Sequence, residues 1–380
     1  MRIRIVFSLC LGLSALWAVA CSSPPSSEYT WNLPPGFSPP PDPPDNPTTA
    51  AKVKLGRYLF YDKRLSLKEN VSCGTCHKQH LAFTDGEAVG TGTTGQKHIR
   101  SSMSIVNVGY LPTLTWANPL LTSLENQALV PLFGEEPTEM GLSGLQQLLY
   151  ERLNKTDIYP DMFAEAFPEA EQPIHYRYII RALGSFQRTM ISGNARFDKW
   201  RRTKDDALLT TQEHQGRKLF FSKELSCFRC HGGRDLRDFV DEDQQLVKDV
   251  VFHNTGLYNV DGKGGFPAGN QGLVEVSTEK ADIGKFRVPS LRNIALTAPY
   301  MHDGSIKTLR EVIEHYARGG RLIKEGEHQG DGKLNPRKSE LIKGFTITED
   351  EKDALIAFLK TLTDQTFLND PRFSDPFETQ

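Results

Sequence analysis

The sequence predicts a mainly α protein in which one module is used twice, with long loops between its helices. Two observations carry this. The motif C-x-x-C-H occurs at Cys73-Gly74-Thr75-Cys76-His77 and again at Cys227-Phe228-Arg229-Cys230-His231. The residues before each motif also repeat. Gly56-Arg57-Tyr58-Leu59-Phe60-Tyr61 is echoed by Gly216-Arg217-Lys218-Leu219-Phe220-Phe221, and Arg64-Leu65-Ser66 by Glu224-Leu225-Ser226. Such recurrence marks a structural unit copied within the chain. The first copy carries an insert, Leu67 to Ser72, just ahead of its cysteines.

A cysteine pair alone serves equally as a redox pair or as half of a zinc site. Here both pairs carry an adjoining histidine, the attachment signature of c-type haem. The thiols form thioether bonds to the ring's vinyl groups and the histidine takes one axial position on the iron. The expectation is two covalently bound c-type haems. Cys73, Cys76 and His77 would hold one, and Cys227, Cys230 and His231 the other, in two cytochrome c-like haem domains in tandem.

With 380 residues the chain has room for two domains with their own cores. A net charge of -2 gives no electrostatic case for nucleic acid. The hydrophobic content, 38%, is ordinary for a soluble protein. At the N-terminus, Arg2 and Arg4 precede an apolar run from Ile5 to Ala20 that ends in small residues, so residues 1–20 read as a secretory signal. Ala18-Val19-Ala20-Cys21 is similar to a bacterial lipobox with alanine where leucine is commoner, making Cys21 a candidate lipid anchor and simple cleavage the alternative. All six cysteines are then assigned: Cys10 leaves with the signal, Cys21 is the anchor, four carry haem, and none remains for a disulfide. Export suits c-type haem, which is attached outside the bacterial inner membrane. It implies a periplasmic protein, held at the outer membrane by a lipidated Cys21.

Ser22 to Pro47 contains ten of the 23 prolines, so residues 21–48 read as an extended tether, with Trp31 and Phe37 either docked or solvated. The first haem domain is expected over residues 49–204. It opens with a helix from Ala51 to Tyr61, continues through a loop at Gly86 to Gly95, and closes with a helix from Tyr176 to Met190. The second spans 205–370, with a helix from Gln212 to Phe220 and a loop from Gly256 to Gly272. Thr308-Leu309-Arg310-Glu311 is a capping box opening a helix whose stripe is Leu309, Val312, Ile313 and Tyr316, and Gly319-Gly320 stops it. A second capping box, Thr348-Glu349-Asp350-Glu351, opens the last helix through Ala354, Leu355, Phe358 and Leu359.

Both motifs, the run Leu291 to Gly304 (L-R-N-I-A-L-T-A-P-Y-M-H-D-G) and Gln127 to Pro131 (Q-A-L-V-P) together resemble the bacterial di-haem cytochrome c peroxidase family, and more closely its MauG-like branch, over roughly Ala51 to Leu362. Thr115 to Gln127, with Trp31 to Phe37 upstream, is similar to the MbnH-type enzymes of methanobactin clusters. Those are associated with a copper-binding partner in which they oxidise a tryptophan to kynurenine.

The resemblance implies roles residue by residue. Counting back from Arg100, a histidine that occupies the distal site of the first haem in the family's peroxidases falls at Thr93, so that ligand is missing. His80 and His98 are nearby substitutes; without them the first iron is open to hydrogen peroxide. The family's distal pocket matches Gln127, Pro131 and Glu139, where a carboxylate moves the peroxide proton to the departing oxygen. The longer spacing here keeps Glu135 and Glu136 as alternatives. For the second haem, Met301 offers the thioether usual in electron-transfer cytochromes. Family register counted from Thr297 points instead to Tyr316, which the buried stripe also aims inward. Trp116 matches the aromatic between the haems, an electron relay or simply a core tryptophan. A calcium ion is implied at carbonyls of Thr297 and Pro299, with Ser101 in place of the family's asparagine.

Three functions are compatible with this reading. A MauG-like oxidase would use peroxide to reach a high-valent di-haem state and oxidise tryptophan in an exported, copper-binding protein. A cytochrome c peroxidase would instead reduce peroxide with electrons from a small redox protein. An electron carrier would have both irons six-coordinate, against which Thr93, Gln127 and Glu139 speak.

Overall fold

The computed structural model describes residues 28–238 and 251–378, and over these the chain is mostly helical. The expected signal, Cys10 and Cys21 lie outside the described residues. The first half runs α1 (Ala50–Tyr61), α2 (Cys73–Cys76), α3 (Leu124–Phe133), α4 (Gln146–Asn154), α5 (Tyr159–Ala166), α6 (Tyr176–Arg188) and α7 (Arg196–Thr203). The second runs α8 (Thr211–Phe220), α9 (Cys227–Cys230), α10 (Val274–Ser277), α11 (Leu309–Arg318), α12 (Glu349–Lys360) and α13 (Gln365–Leu368). Two antiparallel ribbons, β1 (Phe252–His253) with β2 (Phe286–Arg287) and β3 (Leu322–Ile323) with β4 (Gly330–Asp331), are the strands among the described residues. No described helix is long and apolar enough to cross a membrane.

The repeat in the sequence is a repeat in space. α1 crosses α6, and α8 crosses α12. Both crossings turn on the glycine of the echoed text: a Cβ on Gly56 would lie 2.0 Å from the Ala182 carbonyl oxygen, and one on Gly216 1.8 Å from that of Ala354. Only a hydrogen lets the helix backbones approach so closely. Each crossing is sealed by aromatics, Phe60 against Phe186 in the first half and Phe220 against Phe358 in the second. These rings are almost wholly buried, and each contributes about 1.5–3 kcal/mol by leaving water.

The helix ends follow the caps. Thr308 and Glu311 form the expected box ahead of α11, and Thr348 and Glu351 that of α12. A third, Thr210 with Glu213, opens α8. Residues 86–95 and 256–272 contain no helix or strand.

Two segments tie the halves together. After α12 the chain returns to the first half, where Phe367, Leu368 and Phe373 are buried in its core and the Tyr61 hydroxyl donates to the Phe373 carbonyl. The proline-rich segment expected as a tether is extended but not free over its described part. Asn46 is buried and its amide donates to Glu125 at 2.8 Å, Phe37 lies under the Arg234 guanidinium, and Pro40 packs on Gly109. Docking combines a buried hydrogen bond at Asn46 with packing of Phe37 and Pro40 on the body.

Candidate functional site

Each C-x-x-C motif forms a single helical turn, α2 and α9, so its two cysteines lie three residues apart on one face and the histidine falls at the C-cap. His77 Nδ1 lies 2.8 Å from the Phe83 carbonyl oxygen. A carbonyl only accepts, so Nδ1 carries the proton and Nε2 presents a lone pair, the arrangement a metal-bound imidazole needs. The acceptor is brought back by a tight turn in which Ala82 and Phe83 are left-handed (φ 51° and 60°) and Lys78 bridges Thr84. The second motif repeats the device: Gly232 bridges Asp238, Leu236 is left-handed (φ 52°), and His231 Nδ1 faces the Leu236 carbonyl at 3.3 Å.

None of the four motif cysteines is in a disulfide. Burial pushes Cys73 and Cys227 up to about 12 and Cys76 and Cys230 up to about 11. Neutral thiols in an apolar wall beside an oriented imidazole fit thioether attachment of haem, and do not resemble thiolates prepared for zinc or redox exchange. Among the described residues no cluster of three His, Cys, Asp or Glu is placed to hold another metal ion.

Above the first motif, α3 carries Gln127 and Pro131 one turn apart on one face. Pro131 lacks an N–H, so the Gln127 carbonyl loses its helical partner. The chain then turns back, and the Met140 and Leu142 amides donate to the carbonyls of Pro131 and Leu132. This return sets Glu139 near the motif, close enough for its carboxylate to oppose ionisation of both Cys73 and Cys76. Burial raises the Glu139 carboxyl to about 7, although a third of its side chain remains accessible. The two facts agree if the carboxyl is walled by protein and faces a cavity. Glu135 and Glu136 are exposed, so of the three candidate acids Glu139 is the one turned inward.

Thr93 is fully committed elsewhere. Its hydroxyl donates to Asn70 at 2.6 Å and accepts from the Lys68 amide, and its own amide donates to the Glu139 carbonyl. The insert Leu67 to Ser72 therefore anchors this wall, a purpose its sequence did not reveal. His80 is exposed. His98 sits with Nδ1 3.5 Å from Glu139, held neutral by burial.

Above the second motif, α11 brings Tyr316 against Cys230 and Cys227. Burial first, and then those thiols, hold its phenol well above the usual range. Such a phenol gives up its proton only to a cation at its oxygen. Met301 lines a different space, an open cavity between the halves. Ser101, Trp116, Thr297 and Pro299 line the same cavity. The Trp116 indole donates to the Ser101 carbonyl at 2.9 Å and its ring meets His302 edge-on, and His302 stacks on Phe286.

A further repeat escaped the sequence reading. Met103-Ser104-Ile105-Val106-Asn107-Val108 and Pro289-Ser290-Leu291-Arg292-Asn293-Ile294 do the same work. The backbones of Met103 and Pro289 lie against His77 and His231. Ser104 and Ser290 donate to carbonyls of the two proximal turns, Ala82 at 2.7 Å and Asp235 at 2.6 Å. Asn107 and Asn293 are both left-handed (φ 58° and 60°) and each opens a 3-10 turn. The shared x-S-x-x-N signal was present but too short to stand out.

Two cytochrome c-like units in one chain, each with a C-x-x-C-H turn and an oriented histidine, define a di-haem c-type protein. The family model for di-haem cytochrome c peroxidase matches residues 50–206. The methylamine utilization protein MauG of Methylorubrum extorquens is 35% identical over 85% of this chain and 81% of its own. Cytochrome-c peroxidase IdrP1 of Denitromonas iodatirespirans is 33% identical over 95% of both. A crystal structure of a MauG-like protein associated with microbial copper homeostasis superposes with a TM-score of 0.87 at 47% identity, covering 92% of this chain and 99% of the other. The chain belongs to the di-haem cytochrome c peroxidase/MauG family, whose members carry two c-type haems, and is a peroxide-dependent oxidoreductase.

Proposed function

We propose that this chain is an exported MauG-like oxidase that uses hydrogen peroxide to oxidise tryptophan in a protein partner, to kynurenine in a copper-binding one. The supporting observation is the unequal furnishing of two sites built on one frame: Glu139 turned toward the first, Tyr316 packed against the second. The likeness to a MauG-like protein associated with copper homeostasis supports the copper-linked partner.

When bound, the haems supply two-electron reduction of peroxide and storage of the oxidising equivalents. The chain's own residues do the rest. Cys73, Cys76 and His77 hold the first haem, and Cys227, Cys230 and His231 the second. Glu139 takes the peroxide proton and returns it to the leaving oxygen, a task suited to a carboxyl poised near 7. Gln127 orients the peroxide and Pro131 shapes the wall. Tyr316 would hold the second haem's iron through its phenol oxygen, a ligand that favours the oxidised metal. Trp116 relays electrons between the sites. Thr297, Pro299 and Ser101, which line one cavity, would hold a calcium ion. The haem domains are residues 49–204 and 205–370, the latter with its last residues packed back on the first core, delivered to the periplasm by the signal and fixed to the outer membrane through lipidated Cys21.

A second reading, peroxide reduction with electrons from a small redox protein, is supported by the identity to cytochrome-c peroxidase IdrP1 along nearly the whole chain. One experiment separates them. Ferric holo-protein is mixed with peroxide and a small copper-binding protein encoded beside it. Oxygen adducts on the partner's tryptophan, found by mass spectrometry, are expected. Rapid turnover with a reduced cytochrome and an unmodified partner would favour the peroxidase.

A further inference from the structure

The cavity between the halves is lined by three arginines, and only Arg292 among them has carboxylates at hydrogen-bonding distance. Arg292 is satisfied: Asp198 grips it at 2.8 and 3.0 Å and Asp235 accepts from its Nε at 3.0 Å. Arg287 has no carboxylate among its partners. Its Nε donates to the Thr115 carbonyl at 3.0 Å, while its outer nitrogens donate to the Val288 carbonyl at 3.3 Å and to the Leu114 carbonyl and the Met103 sulfur at 3.4 Å, all uncharged acceptors. It is 8% exposed, and burial and the neighbouring Arg237 push it down to about 9. Arg237 donates to the Tyr110 carbonyl at 3.0 Å, lies no nearer than 3.6 Å to Asp238 and 3.7 Å to Asp235, and buries an Nε with no acceptor.

Two guanidiniums that act on one another at the wall of this cavity, Arg287 with no carboxylate of its own, are suited to an anion placed between them. Their place in the chain says which anion. Arg237 follows Leu236, the acceptor for His231, and Arg287 stands two residues before Pro289, whose backbone also faces His231. The corresponding positions around His77 are Thr84 and Ser101, both neutral.

We propose that Arg237 and Arg287 form a carboxylate bracket for the propionates of the haem attached at Cys227 and Cys230. The bracket raises that haem's reduction potential relative to a site with the same ligands and no arginines, because a nearby cation favours the less positive iron. This rests on the two-haem assignment of the family and not on the proposed oxidation of tryptophan.

The test is a spectroelectrochemical titration of the holo-protein. The second haem is identified as the one missing from a Cys227→Ala/Cys230→Ala variant. Arg287→Gln and Arg237→Gln should each lower the midpoint potential of the second haem more than that of the first, and Arg287→Lys should recover most of the shift. Wild-type protein grown on δ-aminolevulinate carrying heavy carbon in its carboxyl group supplies an independent signal. Its redox-linked infrared propionate bands should shift in both glutamine variants. Unchanged potentials with unchanged propionate bands would overturn the proposal. So would a wild-type potential that follows chloride or phosphate concentration at fixed ionic strength with propionate bands indifferent to the arginines, since the bracket would then hold a free anion. If the glutamine variants do not accumulate, propionate bands in Arg287→Lys identical to wild type would count against it.

Discussion

The two halves share a glycine-mediated helix crossing, a one-turn C-x-x-C helix, a left-handed return to the proximal histidine and a Ser/Asn brace. They differ in what stands around that frame. The first half adds an insert, a helix carrying Gln127 and a Glu139 with a third of its side chain accessible, with Thr93 tied to Asn70. The second has Tyr316 against its cysteines and arginines where the first has Thr84 and Ser101. A copied scaffold holds a cofactor in the same way twice, and division of labour comes from a few side chains grafted onto each copy.

The largest way to break the comparison is to remove one cofactor. Cys227→Ala with Cys230→Ala should halve the haem content by pyridine haemochrome assay and leave the first haem covalently attached. Loss of both haems would show that the copies do not load separately.

Next is the chemistry given to the first half alone. Glu139→Gln should slow the reaction with peroxide by roughly 10²- to 10⁴-fold, the usual worth of a positioned acid–base group. The wild-type carboxyl titrates near 7, and only the carboxylate accepts a proton. Stopped-flow rates should therefore fall as pH drops through that value, and the variant should lose this inflection. An unaltered pH profile would remove Glu139 from the role.

The shared frame makes a more modest prediction. Gly56→Ala and Gly216→Ala each push a methyl into a carbonyl oxygen, and overpacking of this kind costs about 1–3 kcal/mol. Urea unfolding should show both variants destabilised, by comparable amounts. The smallest effect is expected for Ser104→Ala and Ser290→Ala. Each deletes one side-chain bond to a proximal turn and one accepted from the Val106 or Arg292 amide, each bond worth about 1 kcal/mol.

Much of this frame was legible in the sequence, because the haem motif and the capping boxes are local signals. Helices α4 and α5 were not. Leu145 and Ile158 precede them with no side-chain cap, so α4 had no start signal and α5 only Pro160 in its first turn. The docked leader was hidden for a different reason: proline content reports an extended backbone, while docking depends on partners such as Glu125, 79 residues from Asn46. The return of Phe367 and Phe373 into the first core is likewise a long-range event with no local signature. At the site, the bonds that tie up Thr93 and the arginine pair could be read only from coordinates, since both depend on which acceptors lie within reach.

The central claim is that one frame carries an open iron and a closed one, and electron paramagnetic resonance of the ferric holo-protein tests it most directly. The account predicts one high-spin signal and one low-spin signal, with Tyr316→Phe abolishing the low-spin tyrosinate signature while the first haem still binds cyanide. Two low-spin signals in the wild type, or a low-spin signature lost in Met301→Leu and kept in Tyr316→Phe, would contradict it.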